Sequence, residues 1–222
     1  MPYRRTENVV RRLAAREQAI LDAASAAAAE GGMGAVQIAP VAQRAGIAAG
    51  TVYRYFPSKT DLVAELVSTV AERELGAMRT AAAAAPGPLS ALAAAISTFA
   101  ARALHERRLA WAVIAEPVDA QAGEARLEFR KSLAAEFEAR IRAAIAGGHL
   151  PEQDAGVAAP AIVGALLESL LGPLAPEHGR DAAKARDAVQ AATLLALRGL
   201  GVVDARARGL VAQITLPVAG TD

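Results

Sequence analysis

Thr51, Tyr53, Arg54, Tyr55 and Lys59 fall together in residues 51–59 of this 222-residue chain. A hydroxyl and two phenols donate hydrogen bonds to phosphate oxygens, and Lys59 adds a positive charge beside them. Such a set grips a nucleic-acid backbone and does not read bases. The residues just before it, Ala48, Ala49 and Gly50, offer base edges a methyl group or nothing. Hydrogen-bonded base readout is therefore expected to be sparse, leaving thymine-methyl contacts, Arg54 and DNA shape to set sequence preference. Gln37, at the start of the preceding segment, is a further candidate donor.

Two short helices separated by a tight turn would position this set. Ile38, Val41, Ala42 and Ala45 recur at i, i+3, i+4 and i+7, one apolar face over two turns. Gly46 follows, the residue type that adopts left-handed backbone at no steric cost. Beyond it Ile47 is apolar and Val52 and Phe56 are spaced i, i+4, so one side packs while Thr51, Arg54 and Tyr55 face away, with Tyr53 at the edge. TVYRYF is rich in β-branched and aromatic residues and alternates like a strand, but a lone strand among helices has no partner. The segment is therefore predicted to be helical. Ser58 and Asp61 form an S-x-x-D cap that opens a helix at Lys59 and runs to about Ala84, and a first helix is predicted over Arg16 to Ala29.

Ala45-Gly46, the run Thr51-Val52-Tyr53-Arg54-Tyr55-Phe56, and Lys59 resemble, without a gap, the motif of the TetR family of bacterial transcriptional regulators. The entrance to the second helix departs from that pattern, with Gln37 where the family usually has Thr or Ser, and Pro40 inside the first turn. The resemblance implies an all-α protein: a three-helix head with a helix-turn-helix over residues 1–62, then a helical ligand-binding and dimerisation domain over 63–222. It assigns DNA contact to Gln37, Ala49, Gly50, Thr51, Tyr53, Arg54, Tyr55 and Lys59. It further implies a homodimeric, cytoplasmic repressor released from a palindromic double-stranded operator by a small-molecule effector, with the fourth helix as lever and Pro86-Gly87-Pro88 as joint.

Charge counted by region agrees. Residues 1–62 carry +3 and the remainder −2 within a total of +1, a basic head on a mildly acidic body. Arg4, Arg5, Arg11 and Arg12 read either as an arm entering a minor groove or as a solvated terminus. Cysteine is absent, which removes disulfides, thiolate chemistry and cysteine metal sites. The N-terminus has no apolar stretch of signal-peptide type. The uncharged run Ala81–Ala101 is mostly alanine and broken by Pro86-Gly87-Pro88, so no membrane span is expected. An enzyme is the competing class. There is no P-loop, GxGxxG or GxSxG, and His105, His149 and His178 are scattered, so no catalytic residue, metal or cofactor is assigned.

Breaks at Pro86-Gly87-Pro88, Glu116-Pro117, Gly147-Gly148, Gly172-Pro173 and Gly199–Gly201 divide the second half into five long helical segments and a short terminal one. Glu152–Leu171 and Asp181–Leu200 are the expected dimer helices. Their stripes, Ile162, Val163, Leu166, Leu167, Leu170 and Leu171 with Val189, Leu194, Leu195 and Leu197, equally fit an intramolecular core. An effector pocket is expected among the middle helices. Phe99, Trp111 and Phe129 are its candidate walls, with Leu104, Ile114 and Phe137 beside them, and His105, Glu116, Arg126 and Glu168 its candidate anchors. Glu168 stands out because a carboxylate inside ALLESLL would need a partner if buried.

Overall fold

The computed structural model describes residues 7–116, 120–177 and 181–213, with side chains from Val9 and from Gly123 onward in the first two stretches. Ten α-helices and one 3-10 turn make up the regular structure among these residues, with no strand. The head holds α1 (Glu7–Gly31), the 3-10 turn Met33–Ala35, α2 (Ile38–Arg44) and α3 (Ala49–Tyr55); α4 (Lys59–Ala83) leads out of it. The body holds α5 (Pro88–His105), α6 (Arg107–Ile114), α7 (Ala120–Ala146), α8 (Ala155–Leu170), α9 (Ala182–Gly199) and α10 (Asp204–Gln213).

In α1 the expected face is buried, with Ile20, Leu21, Ala24 and Ala28 inside and Leu13 half-buried. The helix starts earlier than Arg16 because its first turns are held by the helix preference of Ala, Arg and Glu, with no buried stripe to reveal them; Val9 and Val10 are exposed. Arg11 and Arg12 therefore lie on an α-helix and are not part of an extended arm. Arg4 and Arg5 lie outside the described residues.

Ile38, Val41 and Ala42 of α2 pack inward, as do Val52 and Phe56 of the α3 segment, so residues 51–55 are helical as their context requires and Phe56 caps the helix in extended geometry. Between them Gly46 has φ 65°. Its N–H donates to the Gln43 carbonyl at 3.1 Å and the Ile47 N–H to the Ala42 carbonyl at 3.0 Å. This crossed pair satisfies the last carbonyls of α2 and turns the chain into α3.

The break at Glu106, which divides one expected long segment into α5 and α6, carries no Gly or Pro. Glu106 leaves helical geometry at φ −113° and ψ 48°. Its carboxylate accepts from Arg73 Nη2 of α4 at 2.8 Å. A tertiary ion pair thus accompanies a break that local sequence does not signal.

α5 lies at the centre of the body, in contact with α4, α6, α7, α8, α9 and α10. Leu92, Ile96, Phe99 and Ala100 of α5 are fully or almost fully buried. Polar bridges fix α4 against its neighbours. Arg102 of α5 donates to Glu74 at 2.7 and 3.2 Å. Arg79 donates to Glu136 of α7 at 2.9 Å, and Arg140 closes on the same carboxylate at 2.5 Å. One continuous apolar cluster runs from Ile20 in the head to Val211 in α10. Residue 62, the expected division between domains, is a fully buried leucine inside α4.

On α8 and α9, Ile162, Val163, Leu166, Leu167, Leu170, Leu171, Val189 and Leu197 are buried within the chain. They are intramolecular core, the second of the two readings their stripes allowed. The faces turned outward carry Val157, Pro160, Ala161 and Glu168 on α8, and Ala191, Leu195 and Arg198 on α9. Among the described residues no helix is long and apolar enough to cross a membrane.

Candidate nucleic-acid interface

α3 is short, so the side that packs determines the side that is offered. Val52 is fully buried, and Arg54 points to solvent with Tyr53 51% exposed beside it. Thr51 is half-buried. Tyr55 differs from expectation: three residues on from Val52 it lies on the flank of the buried face, half-buried against the core. Tyr53, expected at the edge, is the more accessible phenol. Ala49 is half-buried against the core, while Gly50 is exposed with open space around its Cα. Ala48 precedes the helix without a side-chain cap, so the end of α3 holding these small residues is bare backbone.

Lys59 is the first residue of α4, and the expected cap is in place behind it. Ser58 Oγ accepts the Asp61 N–H at 3.1 Å and donates to Asp61 Oδ2 at 2.7 Å. Lys59 is half-buried and makes no ion pair with a described residue. Gln37 occupies the position before α2 in extended geometry without capping it, and its Nε2 donates to the Gly34 carbonyl at 3.0 Å. Arg44, the last residue of α2, is engaged by Glu30 of α1 through two parallel hydrogen bonds of 2.8 and 2.6 Å. The guanidinium holds the Glu30 carboxyl below its ordinary range, chiefly through these hydrogen bonds. That pair ties α1 to α2 and occupies Arg44 in doing so.

The expected effector residues separate into three groups. Phe99 and Phe129, each 2% exposed, face a void of about 20 Å³, room for roughly one water molecule. They are core walls. His105 is exposed at the end of α5, outside both that void and the cleft beside Trp111. Trp111, Glu116 and Glu168 come together in a cleft of about 480 Å³ between α6, α7 and α8. Ile114, Ala115, Gly123, Arg126, Leu127, Arg130, Gly164 and Leu167 complete its walls, so the cleft is mainly apolar and carries two cations and two carboxylates. Arg126 is buried and donates to the Ala112 carbonyl. Glu168 needs no buried partner, because it lies on the outward face of α8. Arg130, Gly123 and Gly164 were missed. The glycines leave space along α7 and α8 where larger side chains would fill the cleft, but isolated helical glycines give no warning of a cavity.

Residues 20–66 match the model described as "Bacterial regulatory proteins, tetR family". The transcriptional repressor KstR of Rhodococcus jostii is 50% identical over 58 residues, and that match spans about a quarter of its length (27%) and 26% of this chain. Two solved structures share the fold over most of the chain. RolR with bound resorcinol is 21% identical, with a TM-score of 0.66 over 94% of this chain and 98% of its own. FadR from Bacillus subtilis with stearoyl-CoA is 22% identical, with a TM-score of 0.67 over 79% of this chain and 97% of its own. The body is thus similar to these proteins in fold, while the head is similar to its relatives residue by residue. With its helix-turn-helix, capped fourth helix and outward Tyr53 and Arg54, the head of this chain is similar to the TetR family of bacterial regulatory proteins over the matched residues 20–66.

Proposed function

We propose that this protein is a DNA-binding transcriptional regulator: a homodimeric repressor that a small molecule releases from a palindromic operator. The observation carrying the reading is the division of α3, which buries Val52 and turns Tyr53 and Arg54 outward next to a Lys59 fixed by the Ser58–Asp61 cap. Tyr53, Thr51 and Lys59 bind phosphate, and Arg54 is the side chain placed to reach a base edge. Ala49 and Gly50 let the backbone approach the duplex closely.

Two further features support the finer parts. The cleft beside Trp111 has the size and apolar character of a small-molecule site, and the solved relatives in complex hold resorcinol or stearoyl-CoA in their own structures. The outward faces of α8 and α9, with Val157 66% exposed and Leu195 57% exposed amid Ala161 and Ala191, fit a two-fold helical interface. A dimer is also what the chemistry needs, since one short helix grips too few phosphates for useful affinity.

The test is selection of bound fragments from random genomic DNA by the purified protein, in parallel with Tyr53→Ala. Recovery of a palindrome by the wild type alone is the expected result. No enrichment at low salt by a protein shown to be folded overturns the reading.

A further inference from the structure

We infer that Glu116 couples the cleft to the DNA-binding head, by a hydrogen bond it makes across the boundary between them. The inference rests on the regulator reading above and assigns that coupling to one side chain.

Glu116 lies just beyond α6, and its Oε2 accepts the N–H of Met33 at 3.1 Å. Met33 opens the 3-10 turn linking α1 to α2 and is itself buried, 4% exposed. The carboxylate sits at the start of that turn, an end where backbone N–H groups need acceptors. The approach is close enough to dictate its neighbour. Gly32 has φ 72°, and a Cβ there would lie 2.6 Å from Glu116 Oε2, 2.8 Å from Oε1 and 3.0 Å from Arg108 Nη2. Only glycine admits both the left-handed backbone and the carboxylate.

The same residue is a wall of the cleft, with Trp111, Arg126 and Arg130. Its backbone is fastened to the turn that carries the tryptophan. The N–H groups of Ala115 and Glu116 both donate to the Trp111 carbonyl, at 2.9 and 3.0 Å. A molecule that draws the Glu116 carboxylate into the cleft, or shifts Trp111, takes the acceptor from a buried N–H of the head. α6 also packs directly on α1, so the displaced turn has a short path to α2 and α3. By reciprocity, DNA binding that reorders the head shifts the cleft through the same bond.

Trp111 is the chain's only tryptophan and reports on the cleft without a known effector. The experiment measures acrylamide quenching of Trp111 fluorescence with and without the selected operator duplex, in wild type, Glu116→Gln and Glu116→Asp, each first confirmed to bind the duplex. The glutamine keeps the reach and an acceptor oxygen while losing the charge. The aspartate keeps the charge but is one methylene too short for Met33. The expected result is an operator-dependent shift in wild type, retained in Glu116→Gln and lost in Glu116→Asp. A shift of wild-type size in Glu116→Asp overturns the inference, as does its loss in Glu116→Gln or its absence from a wild type that binds DNA. If the aspartate variant does not fold, the glutamine variant still decides by whether the shift survives. Absence of any operator binding by wild type strikes the regulator reading instead.

Discussion

Replacing Lys59 with alanine tests the backbone grip where its magnitude can be worked out. The lysine opens α4, is held by the Ser58 cap, and pairs with no carboxylate among the described residues. Its charge is therefore available to a phosphate. Each phosphate contact contributes about 0.9 to the slope of log affinity against log salt on B-DNA. The proposed dimer uses the contact twice, so Lys59→Ala is expected to flatten the slope by about 1.8. Between 50 and 200 mM salt, a fourfold change, the wild type loses about tenfold more affinity than the variant. The assay is fluorescence anisotropy of the operator duplex across that salt range, repeated with a scrambled duplex. The loss should be equal on both, because a phosphate carries no sequence. A variant with an unchanged slope, or one weakened on the operator alone, refutes the assignment.

Three other outcomes follow from the geometry. Gly46→Ala meets no atom within 4 Å of the new Cβ, so its cost is torsional, about 1–2 kcal/mol, and the melting temperature should fall by about 2–8 °C; an unchanged melt would contradict the left-handed turn. The Glu30 carboxyl is held below its ordinary range by Arg44, so its stabilising contribution is complete above the unfolded carboxylate pKa and is lost as pH falls through the lower folded value. Stability curves of wild type and Arg44→Ala should accordingly separate at neutral pH and converge in acid, and parallel curves would discount the pair. Leu195→Glu, on the outward face of α9, should give a folded monomer in sedimentation with weakened operator binding, whereas Leu197→Glu, fully buried two residues on, should not fold; a dimeric Leu195→Glu would remove α9 from the interface.

The head was legible because its signals are local. Apolar spacing, a glycine at the turn and a Ser-x-x-Asp cap lie within 38–61, and each is present in the structure at the residue expected. The side of α3 was read less well: Tyr55 turned out to flank the core and Tyr53 to be exposed, since a seven-residue helix has too few buried positions to fix its angle to better than one residue. In the body, glycine and proline marked most breaks, but the one at Glu106 coincides with an ion pair to Arg73, a contact distant in sequence. The apolar stripes of α8 and α9 could not be assigned to core or interface from spacing, because both uses ask for the same residues. Burial separates them, leaving the weaker outward pattern of Val157, Ala161, Ala191 and Leu195 as the one available to a partner. The cleft was partly legible through Trp111, Glu116 and Glu168, and its location is set by helical glycines whose empty space only the packed fold reveals.

Cutting the chain at residue 62 would divide something the packing does not. Leu62, Val63, Leu66 and Val67 of α4 belong to the same buried cluster as Ile20 and Val52 of the head and Leu92 and Ile96 of the body. A head ending at 62 would leave the first turn of α4 without the remainder of its helix, and would expose the α1 surface on which α6 packs. Fully burying a leucine or valine side chain is worth about 1.5–3 kcal/mol, so losing several such contacts exceeds what a sixty-residue unit has to spare. The head is therefore packed continuously against the body. It shares one core with the body, and a shared core moves as discrete repackings, not as a smooth bend. The signal proposed for this protein would have to travel through contacts that can be made or broken singly. Among those joining the α1–α2 link to the cleft, the Glu116–Met33 hydrogen bond is one that a ligand could reach.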